Sequence, residues 1–386
     1  MNRLLFSPYL LGVAGVLLTL AVHAALPEEN ISIEPLAAPN PQRLYLNDPA
    51  MGHIVDGRIH VIDTGRMRYL GLIGAGYAAS TTLSRDGKLF FVATTYNSRL
   101  QRGERTDVIE AWRTSDLKLD YEIVIPPKRA QALHIKALVR TTADDRFLLV
   151  QNATPATSVT VVDLQARKAV SEIALPGCWG VIPWPQSPRR FSTVCGDGSL
   201  TTIELDADGK ETRRSAGLRF FDPDSDPVFM HYELSGNRLL FVSFYGNVYS
   251  LKLESNQPQA EAPWSFVDEK AKKQGWRPGG FALFALEPKR NRLIIGMHPK
   301  GSEGSHKNPA SELWVIDLAQ RRVVTRVPGH MALSITVIRD ERPELIVLNA
   351  VDNTLLAFDL NTPRGLSKPA RRSGPIGETP VFMETH

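Results

Sequence analysis

The sequence predicts an all-β protein built from repeated antiparallel sheets. Three observations support this fold class: a short strand-and-turn pattern recurs along the chain, a second strand pattern precedes most of its copies, and no convincing amphipathic helix separates them. A single small sheet of this kind cannot bury both of its faces. The repeated sheets must therefore pack against one another.

The recurring pattern consists of alternating apolar residues, then an acidic or polar residue, then a turn. Its seven copies contain Asp63, Trp112, Asp163, Glu204, Lys252, Asp317 and Asp359. From Asp63 to Asp359, six intervals span 296 residues and average about 49 residues, within the range of propeller blades. We therefore predict a seven-bladed β-propeller. A pair of β-sandwiches is the alternative, but it would not explain this spacing.

The two ends of the chain are assigned from their composition. Residues 25–42, rich in Pro and Glu, are predicted to form a loose N-terminal arm, and residues 43–386 the propeller domain. The stretch "RLYLNDP" (43–49) precedes the first repeat and is predicted to complete the sheet of the last blade. Near the C-terminus, "TPVFMET" is a candidate final strand.

The N-terminus predicts export from the cytoplasm. Arg3 is the only charged residue before Glu28, and the apolar run "LLGVAGVLLTLAV" leads to "VHA", which ends at Ala24. This order is typical of a signal peptide, here residues 1–24, cleaved after Ala24. A retained membrane anchor is the alternative, but a run of thirteen residues is shorter than the roughly twenty that span a bilayer.

Cys178 and Cys195 are the two cysteines of the chain. In an oxidising compartment such a pair usually forms a disulfide. Neither cysteine belongs to a C-x-x-C pair of the kind used by zinc and redox sites. The segment between them contains three prolines and must turn, so "CWGVI" and "FSTVC" can lie antiparallel. We interpret the stretch as a hairpin closed by a disulfide; two free buried thiols are the alternative.

The charge balance does not indicate a polyanionic partner. Lys and Arg number 45 against 41 Asp and Glu, a formal net charge of +4 over 386 residues. No basic cluster alternates with aromatic residues, so we expect no nucleic acid as a partner. The glycines of "LIGAGYAAS" match the start of a dinucleotide fingerprint. A strand and a turn follow them instead of a helix, so a bend between strands explains them better.

Two charged loops have both a functional and a structural interpretation. Arg99, Arg102 and Arg105 form a charged insertion between two strands, either a contact surface for another chain or a solvated hairpin tip. His298 and His306 share a glycine-containing loop with a glutamate; we favour an interface or solvated loop over a metal site. No Ser/His/Asp elbow and no dense calcium loop is present, and the repeated Asp residues are predicted to bind backbone amides in turns.

Several stretches resemble the heavy subunit of the periplasmic quinoprotein amine dehydrogenases, especially aromatic amine dehydrogenase, with methylamine dehydrogenase more distant. The likeness runs from about Tyr45 to Ile335. The stretches that carry it are "TTYNSRLQRGERTDVIEAW" (94–112), "PPKRAQAL" (126–133), "LVQNATPATSVTVVDL" (149–164), "GCWGVIPWPQSPRRFSTVCGDGSL" (177–200), "FVSFYGNVYS" (241–250), "GWRPGGF" (275–281) and "MHPKGSEGSHKNPASELWVIDL" (297–318).

The resemblance implies a subunit that works with a partner. In that family two heavy propeller chains, each with an internal disulfide, assemble with two light chains. The light chain carries tryptophan tryptophylquinone and the catalytic base, so this chain would hold no cofactor, no metal and no catalytic residue. The complex oxidises primary amines to aldehyde and ammonia and passes electrons to a cupredoxin such as azurin or amicyanin. The location implied is the periplasm, with no membrane span after signal removal.

The heavy chain of the family also lines the substrate channel. The family's channel residue is a Phe shortly after an "NDPA"-like stretch, and here Met51 and Gly52 occupy the matching positions. Flexible Met at this place would alter the shape of the channel and admit a bulkier amine. Two alternatives remain open: a stand-alone exported propeller that binds a ligand or partner without redox activity, and a propeller hydrolase with a metal in its central funnel.

Overall fold

The computed structural model describes residues 36–254, 257–362 and 365–386. The predicted signal peptide and residues 25–35 of the predicted arm lie outside the described residues. The first described strand begins at Arg43. Within the described ranges nearly all regular structure is β, which confirms the predicted fold class.

Blades 1 and 2 share one continuous sheet. Blade 1 consists of β1 (Arg43–Asp48), β2 (Gly57–Asp63), the first half of β3 (Arg68–Leu83) and the C-terminal strand β29 (Phe382–Thr385). Blade 2 consists of the second half of β3 with β4 (Leu89–Arg99), β5 (Arg102–Arg113) and β6 (Leu119–Ile125). Strand β3 bends from one blade to the next at Gly76 and Ala78, whose φ angles are 54° and 47°. The glycine-rich "LIGAGYAAS" stretch is therefore a bend within a strand.

Blades 3 to 5 are separate antiparallel sheets. Blade 3 comprises β7 (Val139–Thr141), β8 (Phe147–Asn152), β9 (Ser158–Asp163) and β10 (Lys168–Ala174). Blade 4 comprises β11 (Cys178–Pro183), β12 (Arg190–Cys195), β13 (Ser199–Leu205), β14 (Glu211–Arg214) and β15 (Leu218–Arg219). Blade 5 comprises β16 (Glu233–Ser235), β17 (Arg238–Val242), β18 (Asn247–Glu254), β19 (Gln257–Ala260) and β20 (Trp264–Ser265).

Blades 6 and 7 again share a sheet through one long strand. Blade 6 comprises β21 (Arg277–Pro278), β22 (Phe284–Glu287), β23 (Arg292–His298), β24 (Ala310–Asp317) and the first half of β25 (Arg322–Ile338). Blade 7 comprises the second half of β25 with β26 (Glu344–Asn349), β27 (Thr354–Asp359) and β28 (Arg371–Pro375). The helical segments are α1 (Glu269–Lys273) and 3₁₀ turns at Met51–His53, Lys136–Leu138 and Ser305–Lys307.

The core is distributed between the blades. Each pair of consecutive blades buries its own apolar cluster in the described part of the chain. One further cluster joins the ends of the series, because Ile346 and Leu348 of blade 7 pack with Leu44 and Leu46 of blade 1. Inner strands such as β8 are buried along their whole length, since a neighbouring blade covers each face. The sheets therefore form a closed ring.

The structure corrects the prediction for residues 43–49. Strand β1 does not complete the last blade; it pairs with β2 and lies in blade 1. A short connection joins β1 to β2, so local antiparallel pairing is favoured. The free edge of β1 pairs instead with β29, in the register Leu44↔Thr385 to Asn47↔Phe382. The candidate final strand near the C-terminus is confirmed, and it closes the ring by hydrogen bonding to the N-terminal strand.

Two sequence interpretations of local structure are confirmed. Cys178 and Cys195 lie opposite each other on β11 and β12 and form a disulfide. The repeated Asp residues bind backbone amides in turns: Asp163 Oδ1 accepts from the amides of Gln165 and Ala166, both at 2.9 Å. Asp317 Oδ1 accepts in the same way at 2.9 and 2.8 Å. These carboxylates thus stabilise turns.

Candidate functional site

The strand order gives the ring two different faces. In blades 2 to 7 the strand that comes first in the chain is innermost, and the next three follow outward in antiparallel order. In blade 1 the C-terminal strand β29 is innermost, and β1, β2 and the first half of β3 follow outward. The turns between second and third strands must therefore all lie on one face, together with the bends that lead into the next blade. We call this the hairpin face. The opposite face carries the turns between first and second strands. We call it the channel face because the cavity on the ring axis opens there; the name does not refer to the substrate channel predicted at Met51.

Met51 and Gly52 lie on the hairpin face, in the 3₁₀ turn that follows β1. Met51 is 49% exposed, and its backbone amide donates to Thr379 Oγ1 at 2.8 Å. Ala50 before it has a φ of 45° and is fully buried. The backbone of this turn is therefore held in place while the Met51 side chain extends into solvent.

Asp48 holds this turn to the C-terminal segment. Its buried carboxylate accepts hydrogen bonds from the amides of Ala50 (2.9 Å), Glu378 (2.6 Å) and Thr379 (3.0 Å). His60 Nε2 lies 3.2 Å from the same carboxylate. Burial by itself raises the pKa of the Asp48 carboxyl, but the His60 hydrogen bond and the three amides outweigh it and hold the pKa well below its usual range. The Met51 turn is thus fixed by a buried anion.

The arginine-rich insertion is an extended hairpin on the same face. Strands β4 and β5 pair out to Arg99 and Arg102, both of which are exposed, and Leu100 at the tip is 76% exposed. Arg105 differs from the other two because it binds the buried Asp107 through Nε at 2.8 Å and Nη2 at 2.7 Å. Two arginines of the predicted surface are therefore free to meet a partner, and the third stabilises the hairpin.

Arg129 supports the base of this hairpin from below. It is fully buried, and its guanidinium donates to Thr95 Oγ1 at 2.9 Å and to the carbonyls of Ala78 and Tyr77 at 2.9 and 2.5 Å. Burial lowers the pKa of Arg129 to about 10, and the nearby Asp107 opposes that shift. This residue was not predicted from the sequence, although it lies in the resembling stretch "PPKRAQAL".

The two histidines of the blade 6 loop have different environments. His298 ends β23 and is buried, with Nδ1 3.2 Å from the Pro299 carbonyl, and burial lowers its pKa. His306 lies in the 3₁₀ turn of the following loop and is exposed on the hairpin face. Over residues 36–254, 257–362 and 365–386, no group of three or more His, Cys, Asp or Glu side chains is arranged to hold a metal ion.

The exposed apolar side chains are concentrated on the hairpin face. In the described ranges ten large apolar side chains are exposed, and six of them lie there: Met51, Tyr96, Leu100, Tyr245, Met331 and Val351. The other four lie on the outer strands of blades 1 and 2: Tyr69, Leu72, Leu119 and Val124. None of the ten lies in a turn between the first and second strands of a blade. This distribution makes the hairpin face the candidate surface for contact with another protein.

Three of these side chains form what we call the apolar patch: Met51, Met331 and Val351. They come from neighbouring blades that hydrogen bonds connect, since the Ala350 amide donates to the Met331 carbonyl at 3.0 Å and Asn353 Nδ2 donates to the Glu378 carbonyl at 2.9 Å. Of the three, only Met51 was predicted from the sequence. An apolar residue within the polar turn "NAVDNT" could have pointed to Val351; nothing comparable marks Met331.

The channel face has a separate feature, a polar cavity of about 610 Å³ on the ring axis. Its wall includes Lys136, Arg140, Glu233, Arg339 and Glu384. Ion pairs connect these groups, as between Arg140 and Glu384 at 2.8 Å. In the same described part of the chain, no helix is both long and apolar enough to cross a lipid bilayer.

Comparison with solved structures gives the fold. The chain is similar to hydrazine synthase of Kuenenia stuttgartiensis, with a TM-score of 0.57 and 12% identity over 87% of this chain and 99% of that one. It is also similar to the Cps50 (Swd1) β-propeller domain of Myceliophteria thermophila, with a TM-score of 0.53 and 12% identity over 84% of this chain and 97% of that one. These similarities confirm the predicted propeller architecture.

Comparison with family models and curated proteins identifies relatives along nearly the whole chain. The model of the methylamine dehydrogenase heavy chain matches residues 40–385. The methylamine dehydrogenase heavy chain of Methylobacillus flagellatus is 27% identical over 360 residues, covering 92% of this chain and 88% of that protein. That of Methylophilus methylotrophus is 28% identical over 341 residues, covering 88% and 83%. This propeller chain therefore belongs to the methylamine dehydrogenase heavy chain family.

Proposed function

We propose that this chain is the large, cofactor-free subunit of a tryptophan tryptophylquinone-dependent amine dehydrogenase. The observation that carries the proposal is the concentration of exposed apolar side chains on the hairpin face, where Met51, the predicted channel residue, also lies. A face with solvent-exposed Met, Leu and Val side chains is suited to a permanent partner. The proposed partner is the small, cofactor-bearing light chain, in an assembly of two heavy and two light chains.

The chemistry is divided between the two subunits in this proposal. The quinone of the light chain would take two electrons from a primary amine, water would supply the oxygen of the aldehyde as ammonia is released, and a cupredoxin of the azurin or amicyanin type would receive the electrons. This chain contributes a rigid surface that covers the light chain and limits the access of bulk solvent to its site. The exposed Arg99, Arg102 and His306 would contact the partner at the rim, while Arg105 and His298 support the loops from within. The complex is expected in the periplasm.

Met51 is proposed to line the entrance to the amine site. The hydrogen bonds of the Asp48 carboxylate fix the backbone of its turn, so substrate access depends on the flexible thioether side chain. A Cβ at Gly52 would lie 2.4 Å from a carboxylate oxygen of Glu378, so the glycine leaves room for the Glu378 side chain. An entrance of this kind favours a larger amine, which is why the aromatic-amine branch is proposed over methylamine.

Co-expression tests the proposal. The chain is produced with and without the neighbouring reading frame for a small, cysteine-rich light chain, and both products are assayed for amine-dependent reduction of a dye. We expect activity and a visible chromophore only in the co-expressed product, which should elute as one complex. Amine turnover by the chain alone would contradict the proposal. Failure of the two chains to co-purify would favour the stand-alone binding propeller.

A further inference from the structure

We propose that the cavity of the channel face binds a small oxyanion, a carboxylate or inorganic phosphate, between Lys136 and Arg339. The cavity occupies about 610 Å³ on the ring axis and opens between the turns that contain Asp86, Gly236 and Arg339. It lies on the opposite side of the ring from the apolar patch. The site is therefore independent of the surface that we assign to the light chain.

The charged side chains on the cavity wall are unequal in number. Lys136 Nζ lies 3.3 Å from Glu233 Oε1, and Arg339 Nη2 lies 2.9 Å from Glu233 Oε2. Two cations thus share one carboxylate. The remaining wall pair, Arg140 with Glu384, is complete, with contacts of 2.8 and 3.2 Å. Among the described side chains of the wall, positive charges therefore exceed negative ones by one.

The other titratable side chains of the wall add no further net negative charge. Arg85 and Asp86 at the mouth are exposed and carry opposite charges. Burial lowers the pKa of His231 to about 4 and lowers that of His386, so both imidazoles are neutral near pH 7. Burial raises the pKa of the Tyr232 hydroxyl, which stays protonated. Burial also lowers the pKa of the Lys136 ammonium, and the adjacent Glu233 opposes that shift.

The two cations also have hydrogen-bond donors left over. Lys136 reaches Glu233 and the Tyr232 carbonyl only at 3.3 and 3.4 Å, so its ammonium can turn toward a stronger acceptor. The Arg339 side chain is 50% exposed, and within the described ranges Glu233 is its one hydrogen-bond partner. An oxyanion between the two would accept charge-assisted hydrogen bonds from both, in a partly enclosed space where such bonds are strong. A cation would instead meet carboxylates that are already paired.

The size of the cavity limits the ligand. A volume of this order accommodates a small molecule with accompanying water, but not a folded partner or a polymer. Carboxylate and phosphate both present two or more oxygens to a lysine and an arginine, so the geometry points to their shared chemistry. Separate titrations distinguish the two sources.

The test uses the mature full-length chain without a light chain, so its result does not depend on the proposed enzyme function. Acetate and inorganic phosphate are titrated calorimetrically at constant ionic strength, with chloride as the background ion. Arg339→Gln is expected to weaken binding about tenfold, because one of two charged donors is lost. Glu233→Gln is expected to strengthen it, because the competing carboxylate is removed. The matched control is Arg189→Gln, an exposed arginine in another turn of the channel face that lies outside the cavity wall.

Opposite effects of Arg339→Gln and Glu233→Gln would support an anion site, since a purely structural role would weaken binding in both. The proposal is overturned if neither anion binds the wild-type chain in preference to chloride. It is also overturned if Arg339→Gln and Arg189→Gln behave alike. Melting temperatures of the variants without added anion verify that each one is folded.

Discussion

Replacing Val351 by Ala tests whether the hairpin face binds the partner. Val351 is 73% exposed in a turn of blade 7. The substitution removes two methylene-sized groups, which contribute roughly 1.6 kcal/mol when they move from water to a fully buried position. Val351 can bury at most its exposed 73%, so the substitution can weaken the association free energy by at most about 1.2 kcal/mol. The dissociation constant of the two subunits should then rise by up to about sevenfold.

Val124→Ala is the matched control, because Val124 is 64% exposed but lies on the outer strand of blade 2. Mass photometry of the co-purified complex over a dilution series gives the dissociation constant of each variant. We expect Val351→Ala to dissociate at higher concentration than wild type and Val124→Ala to behave as wild type. The reverse order would place the partner at the rim of the ring and refute the assignment of the hairpin face.

Three further predictions follow from the same structure. Met51→Trp should raise KM for a large amine without abolishing reduction of the cofactor, because it narrows the entrance; equal losses for small and large amines would argue against that position. The double variant Cys178→Ser/Cys195→Ser should lower the free energy of unfolding by roughly 3 kcal/mol in urea titrations, and reduction of the wild type by dithiothreitol should have the same effect. Asp48→Asn should cost about 2 kcal/mol at pH 7, because charge-assisted bonds to three amides are weakened. The folded pKa of Asp48 is depressed, so its contribution is present above the unfolded value of about 3.9 and declines as the pH falls below it. Urea unfolding should therefore show the two proteins converging below about pH 4, and a constant difference would contradict the role of the charge.

Local patterns predicted much of the architecture. The spacing from Asp63 to Asp359 indicated repeated blades, and Asp163 and Asp317 do bind turn amides as expected. The prediction for residues 43–49 was wrong because a strand pattern does not reveal which edge it will pair with. That choice depended on β29, more than three hundred residues away in the chain.

The candidate site was only partly predictable for a similar reason. Arg99, Arg102 and Arg105 form one charged pattern in the sequence, yet Arg105 is bound to Asp107 and the other two are exposed. In the cavity, Glu233 likewise forms an ion pair with Arg339, which comes from a different blade. A linear pattern shows which chemical groups are close along the chain, but not which of them the folded ring neutralises.

The amino-acid sequence by itself determined the all-β repeat, the disulfide partners and the family, because each depends on local periodicity or on residues that recur in a recognisable order. Only the tertiary structure decided which strand closes the ring, where the exposed apolar side chains gather and which charges remain unpaired. Those properties arise when blades distant in the chain pack side by side, since burial and charge pairing are set by neighbours in space.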